Sequence, residues 1–191
     1  MKYLKLTGLA LLAVAIGIGI GIYRIAGVET SEAFFHNGCW TGSRDLPLGK
    51  DKLLTAQVTV FALFALPSSE AIYLFARRDE KKELLNSEND YEIKGNLNQI
   101  KAKYWSVTLY GKDLYLVPNS DERFSFNNSS LKTDSAGNFT ITVSQQRKGD
   151  NWLPAPDKAK FALVLRVYKG EWNYLQGLET TALPTIKKLN Q

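Results

Sequence analysis

The feature that most constrains this chain is an uncharged apolar run close to its N-terminus. Residues 6–22 read LTGLALLAVAIGIGIGI, with one threonine and no charged side chain. A helix that crosses a bilayer needs about 20 apolar residues. Tyr23 can lie at the interface and Arg24 can extend its charge into the headgroups, which lengthens the usable segment. The run therefore predicts a membrane-spanning helix over residues 6–26.

A cleaved signal peptide is the alternative interpretation of the same run. Cleavage requires small residues at positions −3 and −1 soon after the apolar segment. Cleavage after Ala26 would instead place Arg24 at −3. The sequence therefore favours an uncleaved anchor, residues 1–27, followed by a folded domain, residues 28–191. Secretion after cleavage stays open as the alternative.

The charges that flank the run predict its orientation. Lys2, Lys5 and the amino terminus precede it, whereas Arg24 alone follows it closely. Positive flanks stay on the cytoplasmic side of a membrane. We therefore expect a single-pass protein with a cytoplasmic N-terminus and an extracytoplasmic domain, which would be periplasmic in a bacterium.

A stripe of small residues lies within the predicted helix. Ala13, Gly17 and Gly21 recur every four residues, which places them along one helical face. Such a face allows a second helix to approach closely. Self-association through this stripe is a hypothesis that the sequence supports.

Charge and cysteine content argue against nucleic-acid and metal-binding functions. The formal net charge is +5, but lysines and arginines occur in scattered pairs rather than in a basic block. Nucleic-acid binding requires a concentrated positive surface. Cys39 and His36 are the only cysteine and the only histidine, so the usual zinc ligand sets are lacking. We expect no nucleic-acid partner, no metal and no cofactor.

Short strand-like segments dominate the chain beyond Pro67. Residues 29–50 form a polar connector around Trp40, and apolar residues at helical spacing predict a covering helix over residues 51–66. Segments rich in β-branched and aromatic residues follow at 71–76, 91–94, 104–110, 114–117, 124–126, 139–144 and 161–168. Residues 134–138 (DSAGN) read as a turn. This pattern predicts a mainly β fold, an antiparallel jelly-roll-like β-sandwich.

Three segments of the C-terminal half resemble one known family. They are YWSVTLYGKDLYLVPN at residues 104–119, RFSF at 123–126 and NWLPAPDKAKFALVLRVY at 151–168. Their order and spacing are similar to those of the domain-of-unknown-function 1214 family, and the resemblance extends over about residues 36–191. It implies a jelly-roll-like β-sandwich that often forms the C-terminal half of larger two-domain proteins. Here we expect a membrane helix in place of the larger partner domain. The resemblance implies no activity.

Six residues of the domain are candidate ligand contacts: Trp105, Tyr110, Arg123, Asn151, Trp152 and Arg166. Trp152 lies in the segment NWLPAP, where two prolines restrict the backbone, so a ligand would order little additional structure on binding. The alternative is that Trp152 closes one end of the sandwich. Arg123 and Arg166 could bind an anionic ligand bidentately, or could form internal ion pairs.

These candidates support two functional hypotheses. The first is a non-enzymatic module that binds a ligand or a partner protein, with carbohydrate as a reasonable ligand class because sugars stack on aromatic rings. The second is a hydrolase that uses Glu70, Asp79 or Asp150 together with Arg123 or Arg166. A pocket in which those charged groups converge would favour the enzyme, and a flat aromatic surface would favour the binding module.

Overall fold

A computed structural model describes residues 2–26, 34–43, 52–53, 55–56, 66, 70–171 and 176–189. The predicted helix over residues 51–66 lies largely outside the described residues. The N-terminal helix α1 covers Lys2–Ala26. Its segment Lys5–Ile25 is long and apolar enough to cross a membrane, and none of it is buried against the domain. Its 21 residues extend about 31 Å, close to the thickness of a hydrocarbon core. The helix is thus compatible with a single-pass anchor.

The domain is built from short strands. In chain order they are β1 Phe34–Asn37, β2 Trp40–Ser43, β3 Ala71–Ala76, β4 Tyr91–Asn96, β5 Ala102–Gly111, β6 Ser125–Asn127, β7 Asn138–Ser144, β8 Trp152–Pro154, β9 Phe161–Gly170 and β10 Thr185–Lys188. A 3-10 helix, Leu97–Gln99, connects β4 to β5. One sheet has the order β1-β2-β3-β9-β5-β6, and the other has the order β10-β4-β7-β8. The mainly β, sandwich-like fold that the sequence predicts is confirmed.

The strand pairing departs from the prediction in detail. All neighbours in the larger sheet are antiparallel, but β8 pairs with β7 in parallel. The predicted strand over residues 114–117 is wrong, since this segment forms a turn with one isolated bridge between Tyr110 and Leu116. Strands β1, β2, β8 and β10 were not predicted, since each has three or four residues and shows little periodicity. Strand β6 is equally short but was predicted from the alternation of Phe124, Ser125 and Phe126.

The hydrophobic core lies between the two sheets. Trp105 on β5 packs against Phe139 on β7 with ring centroids 5.5 Å apart. Tyr91 on β4 meets Phe161 on β9 edge to face at 5.7 Å. Trp40, on the short strand β2, is also buried, and its indole N–H donates to the Pro184 carbonyl at 2.6 Å. Aromatic contacts from several strands thus join the sheets.

The turn that precedes β7 depends on the Asp134 carboxylate. Its Oδ1 accepts hydrogen bonds from the backbone N–H groups of Ala136 and Asn138 at 2.9 and 2.8 Å, and Oδ2 accepts from the Asn138 side-chain amide at 2.9 Å. Gly137 supplies the positive φ of 82° that closes the turn. The predicted turn over residues 134–138 therefore forms around an ionised carboxylate.

We expect Asp134 to titrate below the ordinary aspartate value of about 3.9. Hydrogen bonds from the Asn138 side chain, and then from the backbone N–H groups, favour the charged form and lower the pKa of Asp134. Because the folded-state pKa is depressed, this contribution to stability is present above the unfolded value and disappears as the pH falls through the folded one. NMR titration of the carboxyl carbon tests this. Asn138→Ala should move the midpoint upward, and an unchanged midpoint would contradict the assignment.

Candidate functional site

The candidate site lies on the face of the larger sheet that points away from the core. We call it the tyrosine–arginine face and define it as Tyr73, Tyr104, Tyr110, Arg166 and Tyr168. Residue pairing brings these side chains together, since Arg166 on β9 lies opposite Tyr73 on β3, and Tyr104 on β5 lies opposite Tyr168. The alternation of each strand places all five on the same side of the sheet. Tyr104 is 41% exposed, and the other four are half-buried.

Arg166 is at the centre of this face and is held by neutral groups. One terminal nitrogen donates to the Tyr110 hydroxyl, and the other donates to Thr108 Oγ1 at 3.3 Å. The guanidinium carbon lies 5.2 Å from the Tyr110 ring centroid and 5.9 Å from that of Tyr73. None of the salt bridges found within the described ranges includes Arg166. Among the described residues, the partners of Arg166 are therefore hydroxyl groups and aromatic rings rather than a carboxylate.

The tyrosines interact with one another and with the arginine. The rings of Tyr104 and Tyr168 are 5.6 Å apart at an angle of 56°. Burial raises the pKa of the Tyr168 phenol, and neighbouring Tyr73, Tyr104 and Tyr110 raise it further while Arg166 opposes them. Tyr168 therefore stays protonated at neutral pH and can donate a hydrogen bond.

The candidates in the NWLPAP segment are engaged by the fold itself. The Asn151 side-chain amide donates to the Lys132 and Thr140 carbonyls at 2.7 and 3.1 Å, and its oxygen accepts from the Lys132 N–H at 2.9 Å. The Trp152 indole N–H donates to the Ser144 carbonyl and hydroxyl at 3.1 and 3.0 Å. Both residues are buried. Trp152 belongs to β8, the edge strand of the smaller sheet, and its burial means that the segment does not present Trp152 to a ligand.

Two other candidates also lie apart from Arg166. Trp105 is 1% exposed and belongs to the core. Arg123 is exposed and places its guanidinium carbon 5.0 Å from the ring centroid of Phe126, which lies opposite core residue Val107. Of the six candidates, the structure brings only Tyr110 and Arg166 into contact.

The carboxylates of the hydrolase hypothesis do not converge. Glu70 precedes β3 and lies 3.8 Å from the Lys169 ammonium, whereas Asp79 follows β3 and accepts from the Glu83 N–H at 2.9 Å. Strand β3 alone extends about 16 Å, more than the roughly 5–10 Å that separates glycosidase carboxylates. Asp150 is exposed on a loop and pairs with Lys132 at 3.2 Å. Within the described residues, no group of three His, Cys, Asp or Glu side chains could hold a metal.

Sequence reasoning did not single out Tyr73, Tyr104 or Tyr168. A signal was present, because Tyr104 and Tyr110 are six residues apart on one strand and Arg166 and Tyr168 are two apart on another. Even spacing places each pair on one face of its strand. This spacing does not predict that β5 pairs with β9.

Comparison with known proteins identifies the family. Residues 70–171 match the family described as "Protein of unknown function (DUF1214)", and no curated protein matches the chain. The crystal structure of the VPA0106 protein from Vibrio parahaemolyticus is similar, with a TM-score of 0.62 and 28% identity over 94% of this chain and 45% of that one. An uncharacterized protein from Burkholderia cenocepacia gives a TM-score of 0.45 and 16% identity over 93% and 42%. This chain thus spans less than half the length of either solved protein. Because the family match covers more than half of the chain, and agrees with the resemblance seen in the sequence, the protein belongs to the DUF1214 family.

Proposed function

We propose that this protein is a membrane-anchored, non-enzymatic domain that binds an anionic, ring-containing ligand on its tyrosine–arginine face. An acidic sugar is the ligand class that combines both features. The observation that supports the proposal most strongly is the half-buried Arg166, whose described partners are all uncharged.

The charge of Arg166 favours an anionic ligand. Removing a cation from water is costly unless an anion or a full set of hydrogen bonds compensates. A guanidinium carries five N–H donors, and within the described residues two contacts, to Tyr110 and Thr108, use them. A planar guanidinium can donate two parallel hydrogen bonds to the two oxygens of a carboxylate.

The surrounding tyrosines favour a ligand that contains a ring. The rings of Tyr73 and Tyr110 flank the guanidinium, and the Tyr104–Tyr168 pair lies beside it on the same face. A tyrosine offers both an apolar ring face and a polar hydroxyl. A sugar presents the complementary combination of C–H faces and hydroxyl groups. The exposed ring of Tyr104 is accessible to such a ligand.

The test compares glucuronate with glucose as probes, using the full-length chain in detergent micelles. Glucuronate should raise the melting temperature as its concentration rises, because a ligand that binds only the folded state stabilises it. Glucose, which lacks the carboxylate, should have little effect. Arg166→Gln should weaken glucuronate binding about 10- to 100-fold, the range expected for losing charged hydrogen bonds.

Arg123→Gln is the matched control, since Arg123 is exposed and lies away from the face. It should bind glucuronate as the unaltered protein does. Equal responses to the two sugars, or equal losses in the two arginine variants, would exclude the proposed site.

The same proposal places the domain outside the cytoplasm. It rests on the apolar helix α1 and on the positive charges of Lys2 and Lys5 that precede it. The unique Cys39 gives a test, since a membrane-impermeant maleimide should label it in intact cells. Burial raises the pKa of the half-buried Cys39 thiol, so we expect slow labelling that accelerates as the pH rises.

An exposed cysteine provides the control for this labelling experiment. Lys158→Cys in a Cys39→Ser background places a thiol at an exposed position and should react rapidly in intact cells. Reaction of either cysteine only after lysis would reverse the proposed topology. Recovery of the protein as a lipid-free species would instead support cleavage of the helix.

A further inference from the structure

The outer faces of the two sheets differ in chemistry. On the smaller sheet, Glu92 and Lys94 of β4 and Lys187 of β10 point away from the core. Such charged side chains are typical of a sheet that has one face in water. The central strands of the larger sheet, β3, β9 and β5, contain no acidic residue and direct tyrosines and Arg166 to the outside. The tyrosine–arginine face therefore extends over three neighbouring strands, none of which supplies a negative charge.

The length of this face is set by strand β5. Its outward side chains in succession are Tyr104, Ser106, Thr108 and Tyr110. Two large rings thus stand at the ends of a stretch of two small, buried hydroxyl residues. The two tyrosines are six residue steps apart, which is about 20 Å along the strand. A single sugar ring is much shorter than this distance, so one sugar covers only part of the face.

Two subsites lie at different positions along β5. The guanidinium of Arg166 contacts Thr108 and Tyr110, and we call these three residues the arginine subsite. Tyr104 pairs with Tyr168, and their ring centroids are 5.6 Å apart; we call this pair the tyrosine subsite. Thr108 and Tyr104 are separated by four residue steps, about 13 Å along the strand. The tyrosine subsite is therefore beyond the reach of one sugar ring whose carboxylate is bound at Arg166.

The two subsites match different sugar units. The arginine subsite carries the positive charge and the donors that a uronate carboxylate requires. The tyrosine subsite offers ring faces and hydroxyl groups, which suit the C–H faces and hydroxyls of a neutral sugar. Tyr104 is 41% exposed, so its ring is accessible for stacking. Two or three linked sugars are long enough to reach both subsites.

We propose that the tyrosine–arginine face binds an acidic oligosaccharide, with a uronate at the arginine subsite and a linked neutral sugar stacked on Tyr104. The sugars run along β5, from Tyr110 toward Tyr104. This inference rests on the proposed function and deepens it, because it assigns a second subsite and an oligomeric ligand. Because β3, β5 and β9 contain no acidic residue, these strands place no carboxylate where it would repel the uronate.

The test measures dissociation constants by isothermal titration calorimetry, using the full-length chain in a detergent without a sugar headgroup. The acidic probes are glucuronate and cellopentaose with its central glucose replaced by glucuronate, so that neutral units extend in both directions from the carboxylate. We expect the acidic pentasaccharide to bind about 3- to 10-fold more tightly than glucuronate, the gain expected from one stacked ring. Unmodified cellopentaose, which lacks the carboxylate, should bind more weakly than the acidic pentasaccharide.

Matched substitutions separate the two subsites, with the ratio of the two acidic affinities as the readout. Tyr104→Ala should reduce this ratio to about 1, whereas Tyr104→Phe, which keeps the ring, should preserve it. Tyr115→Ala is the control, since Tyr115 is exposed and lies beyond the end of β5, and it should also preserve the ratio. Arg166→Gln should weaken the binding of both acidic probes alike.

The outcomes distinguish this inference from the proposed function on which it rests. Equal affinities for glucuronate and the acidic pentasaccharide would overturn the second subsite and leave the proposed function standing. An equal ratio in the Tyr104→Ala and Tyr115→Ala variants would overturn the stacking on Tyr104. Absence of binding by both acidic probes would instead remove the proposed function itself.

Discussion

Replacing Trp105 by alanine is expected to lower the free energy of unfolding by about 3–5 kcal/mol, the range for removing a large buried aromatic side chain. Trp105 is 1% exposed and packs on Phe139 of the opposite sheet. It also lies on β5, which pairs with both β9 and β6. The cavity would therefore open where the two sheets meet. Urea denaturation of the full-length chain in micelles, followed by far-ultraviolet circular dichroism, measures the loss.

Tyr115→Ala is the control, because Tyr115 is an aromatic residue of similar size that is 67% exposed. Its removal should change stability by no more than about 0.5 kcal/mol. Should the two substitutions have equal effects, Trp105 would not be a core residue and the packing of the two sheets described above would be incorrect.

Asn151→Ala is expected to lower the free energy of unfolding by about 3 kcal/mol, because it leaves three partly buried backbone groups without the hydrogen bonds of this side chain. The Asn151 side chain satisfies both backbone groups of Lys132 and the carbonyl of Thr140. It thereby joins the segment before β7 to the segment before β8. The same urea titration measures the effect.

Two further variants test the hydrogen-bonding explanation for Asn151. Asn151→Asp keeps the size of the side chain but removes the amide donors, and it places a negative charge beside two carbonyl oxygens, so it should be at least as destabilising as alanine. Asn98→Ala, at an exposed asparagine, should stay within about 0.5 kcal/mol of the unaltered protein. An Asn151→Asp variant with unaltered stability would show that these hydrogen bonds contribute little.

Trp105→Ala and Asn151→Ala both alter residues that the sequence analysis proposed as ligand contacts. Trp105 and Asn151 were both among the six candidate ligand contacts. In the structure Trp105 fills the core, whereas Asn151 forms hydrogen bonds between two loops. A binding defect in either variant would therefore have to be separated from its loss of stability before it was assigned to ligand contact.

Several features of this protein followed from the sequence because they are properties of contiguous residues. Helix α1 follows from an uninterrupted apolar run, and strand β7 follows from the alternation in residues 139–144. The turn at residues 134–138 follows from an aspartate and a glycine at the required positions. Each depends on interactions between residues that are close in the chain, so local pattern alone was sufficient.

The tertiary structure alone decided which side chains meet. Alternation shows that Tyr104 and Trp105 point to opposite faces, but only the pairing of β5 with β9, about sixty residues away, determines that Trp105 enters the core. The same pairing brings Tyr110 beside Arg166 and Tyr104 opposite Tyr168. Strand pairing depends on contacts between distant segments, and the sequence of one strand does not encode the register of its neighbour. For this reason the strands could be predicted, whereas the face that they form could not.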